Sequence, residues 1–445
     1  MYSNLYSFMR KYVWRGNREN RRNMHELELS QWFSRSELEA IQLKKIQRLV
    51  AYAYEHVPFY RQRYQSEGIH PQDIKNLEDF QTIPFLTRDD VNNNQETLVS
   101  TEYHGKVFER TTGGSTGKPM KFLVDSSALL WSYATEARCR SWFGVKPGDK
   151  MAWIYGVLED FSNWPWQDRL AANIKRHRYL NPRTLTNEKM QAFAKMLIKW
   201  KPVTFRTYPS AIAIFAHYLR ENDITGITPK LIELTGEKGT PDQHQLIEDV
   251  FNAPLADHYS SWEIYDMAYQ CPEGSLHVIE DRYLELVANG QVVDPGQTGE
   301  VVITSLTQSA MPFIRYKNGD LGIYESEKCS CGRGMPVLRE IVGRESDLLS
   351  NPDGSIVHWT SFFTVIKYKT EVSRYQMYQP DREHIEVRLI CKQKVDSAFL
   401  ENIRKELQPC FSESMHITVK IVDYIDLTPY GKHRSIISEV KPEFK

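Results

Sequence analysis

The sequence predicts an α/β protein: a large N-terminal multi-sheet α/β domain, joined by a hinge to a small C-terminal α+β domain of β-β-α-β order. Two observations carry this. Strand-like and helix-like segments alternate from about residue 107 to Glu263, the pattern of sheets covered by helices. Beyond Arg344 the chain turns to short alternating strands around one amphipathic helix, a unit of roughly a hundred residues. A chain of 445 residues also exceeds what one hydrophobic core supports. The expected domains are 1–345, with a helical lead-in over 1–100, and 346–445.

The lead-in is read from "SRSELEAIQLKKIQRLVAYAYEHV", whose apolar residues Leu38, Ile41, Leu43, Ile46, Leu49, Val50 and Ala53 follow a helical period and stop at Pro58. Shorter helices follow at "HPQDIKNLEDF" and after the turn "IPFLTRDDV". "KVFER" and "MKFLVD" read as strands flanking a glycine-rich loop, with Pro119 barred from a sheet centre. A helix over 126–143, a buried strand at "MAWIYGV" and helices over 187–200 and from Ser210 to about Asn222 come next. "KLIELTGEKGTPDQHQLIEDVFNAPLADHYSSWE" gives strand, loop, helix, strand, loop. In the small domain the strands are "SRYQMYQ", "HIEVRLIC" and "HITVKIVDYI", and the helix is "DSAFLENIRKEL". "GRESDLLSNPDGS" is the linker before them.

Composition narrows the function. With 56 Lys+Arg against 57 Asp+Glu the formal charge is −1, so the excess of cations that a nucleic-acid binder needs is missing. No apolar run approaches the ~20 residues of a transmembrane helix, and the N-terminus lacks the apolar stretch and cleavage site of a signal peptide. The expected location is cytoplasmic. Six cysteines in such a chain do not form a disulfide scaffold.

"RTTGGSTGKPM", residues 110–120, has the parts of an anion cradle. Thr111, Thr112, Ser115 and Thr116 offer hydroxyls, Gly113, Gly114 and Gly117 let the backbone come close, and Lys118 adds charge. It is not a Walker P-loop: Thr112 stands where the first Gly is required, Pro119 where the Mg²⁺-binding hydroxyl is required, and a strand follows where a helix should. Alone, the stretch fits a hairpin turn and a phosphate site equally.

Three further motifs, "LTGEKG", "HYSSWE" and "RYKNGDLG", follow in fixed order, and "TPYGKHRS" lies near the C-terminus. Together with the loop they resemble the adenylate-forming superfamily of acyl-coenzyme A ligases and adenylation domains. The similarity is to its phenylacetate–coenzyme A ligase-like branch, which includes proteins of capsule-polysaccharide gene clusters. It runs from "VAYAYEHVPFYRQRY" to "PYGKHRSII".

The resemblance implies roles. Thr111 to Gly117 would hold the phosphates of ATP, and Gly236 and Glu237 would line the adenine pocket. Tyr259 would pack on adenine, Ser260 and Ser261 bond the α-phosphate, and Glu263 hold Mg²⁺. Asp320 would grip the ribose, with Arg344 nearby. Lys432 would be the mobile catalytic lysine, acting with Glu263, Thr112 and Lys118, and the hinge would fall at Ser346–Asp347. Ser260 stands where the family has Gly, and Trp262 precedes the Glu. Such proteins join a small carboxylic acid to a thiol, here coenzyme A, or to an amine or hydroxyl in surface-polysaccharide or secondary-metabolite assembly. Loss of catalysis in a nucleotide-binding homologue is a third reading, and a homodimer stays open. The acid itself is not legible: Trp153, Tyr155, Trp164, Trp166, Tyr208 and Trp262 suit an acyl pocket and a core alike.

A second cluster concerns metal. Cys271 and His277 in "QCPEGSLH", with Cys329 and Cys331 in "KCSCGR", supply the Cys₃His set used for structural Zn²⁺, with no position left open for catalysis. Some relatives in the branch carry a similar arrangement.

Overall fold

A computed structural model describes residues 18–112, 120–155, 160–182, 184–344, 349–353, 356–357, 362, 365–366, 369, 371–427 and 433–440. Gly113 to Gly117, Lys118, Ser346, Asp347 and Lys432 therefore lie outside the described residues, as does the side chain of Arg344.

The chain enters through helices α1 (Arg18–Ser30), α2 (Arg35–His56), α3 (Pro58–Ser66), α4 (Leu77–Phe80) and α5 (Arg88–Asn93). The N-terminus of α2 is fixed by a capping box: Ser34 accepts from the Glu37 N–H while the Glu37 carboxylate accepts from the Ser34 N–H at 2.7 Å. Its buried stripe is Leu38, Gln42, Ile46, Leu49, Val50 and Ala53, one helical face as the sequence period required. Strands β1 (Val107–Thr111) and β2 (Lys121–Asp125) form an antiparallel hairpin around the glycine loop.

The centre of the molecule is a twelve-stranded sheet among the described residues. Its parallel half contains β3 (Met151–Ile154), β4 (His177–Tyr179), β5 (Thr204–Thr207), β6 (Leu231–Thr235) and β7 (Leu255–Ser261), in the order β7-β6-β5-β3-β4. The connecting helices are α6 (Ser126–Ser141), ahead of β3, then α7 (Trp166–Lys175), α8 (Asn187–Trp200), α9 (Pro209–Glu221) and α10 (Pro241–Phe251). Strand β6 is buried along its whole length, as expected for a parallel strand covered on both faces. The apolar residues of β3, β5 and β6 join those of α8, α9 and α10 in one core.

The other half is antiparallel: β8 (Tyr265–Gln270), β9 (Leu276–Val278), β10 (Arg282–Ala288), β11 (Gln291–Val292), β12 (Thr298–Ser305), β13 (Tyr316–Tyr324) and β14 (Val337–Arg344). Its core reaches back to α2, α3 and the hairpin through Tyr60, Tyr64, Phe122 and Phe313. After a short pair, β15 (Leu349–Ser350) and β16 (Ile356–Val357), the small unit follows: β17 (Val372–Gln379), β18 (His384–Cys391), α11 (Ser397–Leu407) and β19 (His416–Ile421). The reading β-β-α-β lacks a fourth strand, β20 (Ile436–Ser438), which adds parallel to β17. Three residues are too short to show an alternation, so this strand had no signal of its own. Among the described residues no helix is long and apolar enough to cross a membrane.

Candidate active site

Ligands of open parallel sheets gather beyond the carboxyl ends of the strands. Here those ends are Ile154, Thr207, Thr235 and Ser261, and a cavity of about 510 Å³ opens beside them. Its lining brings together Thr112, Gly236, Glu237, Ser260, Ser261 and Glu263, which lie more than a hundred residues apart in sequence at the extremes. His433, Arg434, Ser435 and Ile436 close it from the small unit.

Each of these residues is held by local structure. Thr112 sits at the mouth of the hairpin: its N–H bonds Met120 O at 2.9 Å, and its hydroxyl accepts from Arg88 Nη2 at 2.9 Å. The two strands thus meet at a clamped base at Thr112 and Met120. Gly236 follows β6 with φ +79°, the left-handed backbone that turns the chain sharply at the strand end. The carboxylate of Glu237 accepts two backbone N–H groups, from Ser210 at the start of α9 (3.2 Å) and from His433 (2.8 Å). It therefore ties the small unit to the large one at the cavity wall, one residue from Lys432.

The "HYSSWE" motif spans the end of β7 and the turn into β8. Ser260 Oγ lies 3.2 Å from Thr235 Oγ1, and Ser261 Oγ accepts from the Ile264 N–H at 3.1 Å, closing the turn. Glu263, 8% exposed and facing the cavity, takes no hydrogen bond or ion pair from any described residue. Tyr259 and Asp320 do not line the cavity. They sit beside it, joined to each other: Tyr259 Oη donates to Asp320 Oδ2 at 2.6 Å, and Asn318 Nδ2 donates to both (2.8 and 2.9 Å). Strand β13 places Asp320 opposite Arg344 of β14.

The sequence reading missed one wall. Helix α6 turns Leu129, Ser132, Tyr133 and Glu136 toward the cavity, the i, i+3, i+4, i+7 positions of a single face. Arg110, Arg206, Tyr265 and Asp266 join them. The one signal available was an arginine inside the strand "TFRT". Of the six aromatic candidates, Trp153, Tyr155 and Trp262 line the cavity. Tyr208 is core, 4.7 Å behind Tyr155; Trp164 packs on Tyr179 at 4.8 Å; Trp166 is exposed.

The cysteine–histidine set also assembles. Cys271 Sγ lies 3.6 Å from Cys329 Sγ, and Cys331 Sγ lies 3.2 Å from His277 Nε2. All four ligand atoms fall within 4.8 Å of one another. Strands β9 and β14 bring the two segments together, pairing His277 with Val337. Burial lowers His277 to about 4 and so keeps it neutral, the form that ligates metal. The cluster is braced from α1: the Gly334 N–H bonds Gln31 O at 3.2 Å, and Arg333 stacks between Trp32 and Trp142.

Comparison with known proteins gives relatives over nearly the whole chain. Residues 349–439 match the family described as the CapK C-terminal domain. Protein CapK of Staphylococcus aureus is 24% identical over 425 residues, 91% of this chain and 90% of its own. A phenylacetate-coenzyme A ligase of Thermus thermophilus is 28% identical over 336 residues, 71% of this chain and 72% of its own. A solved structure of 2-hydroxyisobutyryl-CoA ligase in the postadenylation state, in complex with R3-HIB-AMP, superposes with a TM-score of 0.74 at 22% identity. The match covers 92% of this chain and 91% of that one. The same ligase in its thioesterification state, covered equally, scores 0.61.

Proposed function

We infer that this chain, which belongs to the adenylate-forming superfamily in its phenylacetate–coenzyme A ligase-like branch, is an AMP-forming acid–thiol ligase. It activates a carboxylic acid with ATP and passes the acyl group to coenzyme A. One observation carries the reading. A single cavity gathers Thr112, Gly236, Glu237, Ser260, Ser261 and Glu263, and the small unit reaches into it through His433 and Arg434.

The chemistry accounts for these residue types. A carboxylate oxygen attacks the α-phosphorus of ATP and pyrophosphate leaves, so two anions must be brought together. Hydroxyls and backbone N–H groups of Thr111 to Gly117, with Lys118, hold the phosphates, and Ser260 and Ser261 stand at the α-phosphate. Asp320, steadied by Tyr259 and Asn318, takes the ribose. Glu263, a buried carboxylate with no partner among the described residues, is suited to hold Mg²⁺, which supplies positive charge against the phosphates. Lys432 neutralises the attacking carboxylate from the small domain, 346–445, which moves about Ser346–Asp347 between half-reactions. Cys271, His277, Cys329 and Cys331 hold a structural Zn²⁺ that pins β9 and β14 beneath α1.

The likeness to CapK along 91% of the chain favours a second reading, in which the adenylate is passed to an amine or hydroxyl. Pyrophosphate release across a panel of acids, with and without coenzyme A, separates the two. Turnover that requires coenzyme A supports the first; a product formed without it supports the second. Adenylation itself fails as a reading if no acid supports ATP–pyrophosphate exchange.

A further inference from the structure

The wall that the sequence did not disclose is ionic, which is unusual for a pocket that receives a hydrocarbon acid. Arg206 gives Nη1 to Glu136, and its Nε lies 3.2 Å from Glu233 Oε1. Arg140 is bidentate on Glu233 (2.8 and 3.1 Å) and reaches Glu136 at 3.0 Å. His258 Nε2 lies 2.8 Å from Asp266 Oδ1, with Nδ1 3.4 Å from Glu233. Glu136, Arg206 and Asp266 present this network to the cavity. Taking charges out of water is expensive, and apolar packing of the same volume usually serves stability as well or better. Stability alone therefore does not explain why the network faces a cavity.

The hydrogen-bonding atoms left over specify what it meets. Trp153 Nε1 is buried with no hydrogen-bond partner among the described residues, and Asp266 Oδ2 and Tyr265 Oη are buried without a well-aligned one, with Ser132 beside Asp266 and Arg110 beside Tyr265. Asp266 is 2% exposed, and all three residues line the cavity. They comprise an acceptor, a donor and a group that is both. A hydrocarbon chain or plain aryl ring would strip the remaining water from them and give nothing back. An ammonium would donate to Asp266 and Tyr265 but leave the Trp153 N–H unmet, and would add charge to a wall where three carboxylates already face two guanidinium groups and His258. A second carboxylate would meet Asp266 with repulsion. A hydroxyl donates and accepts at one atom and fits all three.

We propose that this wall selects a hydroxylated carboxylic acid, whose hydroxyl groups bond Asp266, Trp153 and Tyr265, over the hydrocarbon acid of the same skeleton. The proposal rests on reading the cavity as an acyl-adenylate site, so its test is a binding measurement in which the two readings fail differently. Non-hydrolysable acyl-sulfamoyl-adenosines are compared by calorimetry in two matched pairs, hexanoyl with gluconyl and phenylacetyl with dihydroxyphenylacetyl. A site built to bond a hydroxyl rejects the analogue lacking it strongly, so the hydroxylated member of at least one pair binds tighter by about ten-fold or more. In Trp153→Phe/Tyr265→Phe, which keeps an aromatic ring at both positions and removes the indole N–H and the phenol hydroxyl, that ratio falls toward one. Because the ratio is read, a general loss of binding cancels. Hydrocarbon members that bind equally or better in both pairs overturn the proposal and leave the ligase reading standing. A preference untouched by the double variant overturns the assignment to these atoms. If none of the four compounds binds, the adenylate site itself is wrong, and the proposal falls with it.

Discussion

Glu263 and His258 stand four and one residues either side of Tyr259, yet their surroundings give them opposite tasks. Glu263 faces the cavity as a carboxylate with no described partner, so its charge is available to a cation. Glu263→Gln keeps the shape and removes that charge. ATP–pyrophosphate exchange should fall by about two to three orders of magnitude, and the Mg²⁺ concentration for half-maximal rate should rise. An unchanged Mg²⁺ titration would remove Glu263 from the metal role. His258 is instead sealed in the ionic wall, faced by Glu233, Asp266 and Arg206, with Glu136 close by. Burial works against its charge, but hydrogen bonds and attraction from Asp266 and Glu233 outweigh it and raise it to about 9. The folded state thus binds the proton more tightly than the unfolded chain, whose histidine titrates near 6.5. This stabilisation, on the order of 3 kcal/mol, is complete below the unfolded value and is lost as pH rises through about 9. Denaturant unfolding at pH 6 and pH 9.5 should show that loss, and His258→Gln should flatten the slope between them.

At the scale of elements, what the sequence discloses depends on whether a signal is local. Helix α2 shows its period and its Ser34–Glu37 cap within 24 residues, and the β1–β2 hairpin is announced by the glycines it carries. Part of the motif set was legible for a related reason: Thr112, Gly236 and Ser261 lie at or just past a strand end, where the residue type changes. The inner wall was not, because Glu136, Arg206 and Asp266 come from α6, β5 and β8 and acquire meaning only when partnered across the sheet. The antiparallel strands β8 to β14 escaped as well, since burial of β10 on both faces erases the two-residue alternation. The cysteines sit between these cases. Cys-x-Cys is visible locally, but its union with Cys271 and His277 needs β9 to pair with β14. If zinc joins them, protein purified without a histidine tag carries close to one equivalent by metal analysis. Cys329→Ser should lose it and lower Tm by several degrees, because the metal then no longer braces the contact between Gly334 and Gln31. Full zinc content in Cys329→Ser would exclude Cys329 as a ligand.

At the scale of the whole molecule, the question is which half of the reaction this arrangement serves. The His433 N–H on Glu237 holds the small unit against the cavity wall, and under the proposed function this is the arrangement for attack on ATP. If one lysine-bearing unit must leave before coenzyme A can enter, the linker at Ser346–Asp347 has to change its backbone angles between steps. Proline at the second position fixes φ near −65° and narrows the residue before it, so Asp347→Pro restricts that change while leaving every cavity residue in place. With an acid that supports exchange, Asp347→Pro should keep ATP–pyrophosphate exchange within about two-fold and slow acyl–coenzyme A formation by roughly ten-fold or more, with acyl-adenylate accumulating on the protein. Lys432→Ala should do the reverse, suppressing exchange while accepting a chemically supplied acyl-adenylate for thioester formation. If both variants impair both steps equally, the two half-reactions share one arrangement of the molecule, and no rotation about Asp347 is needed.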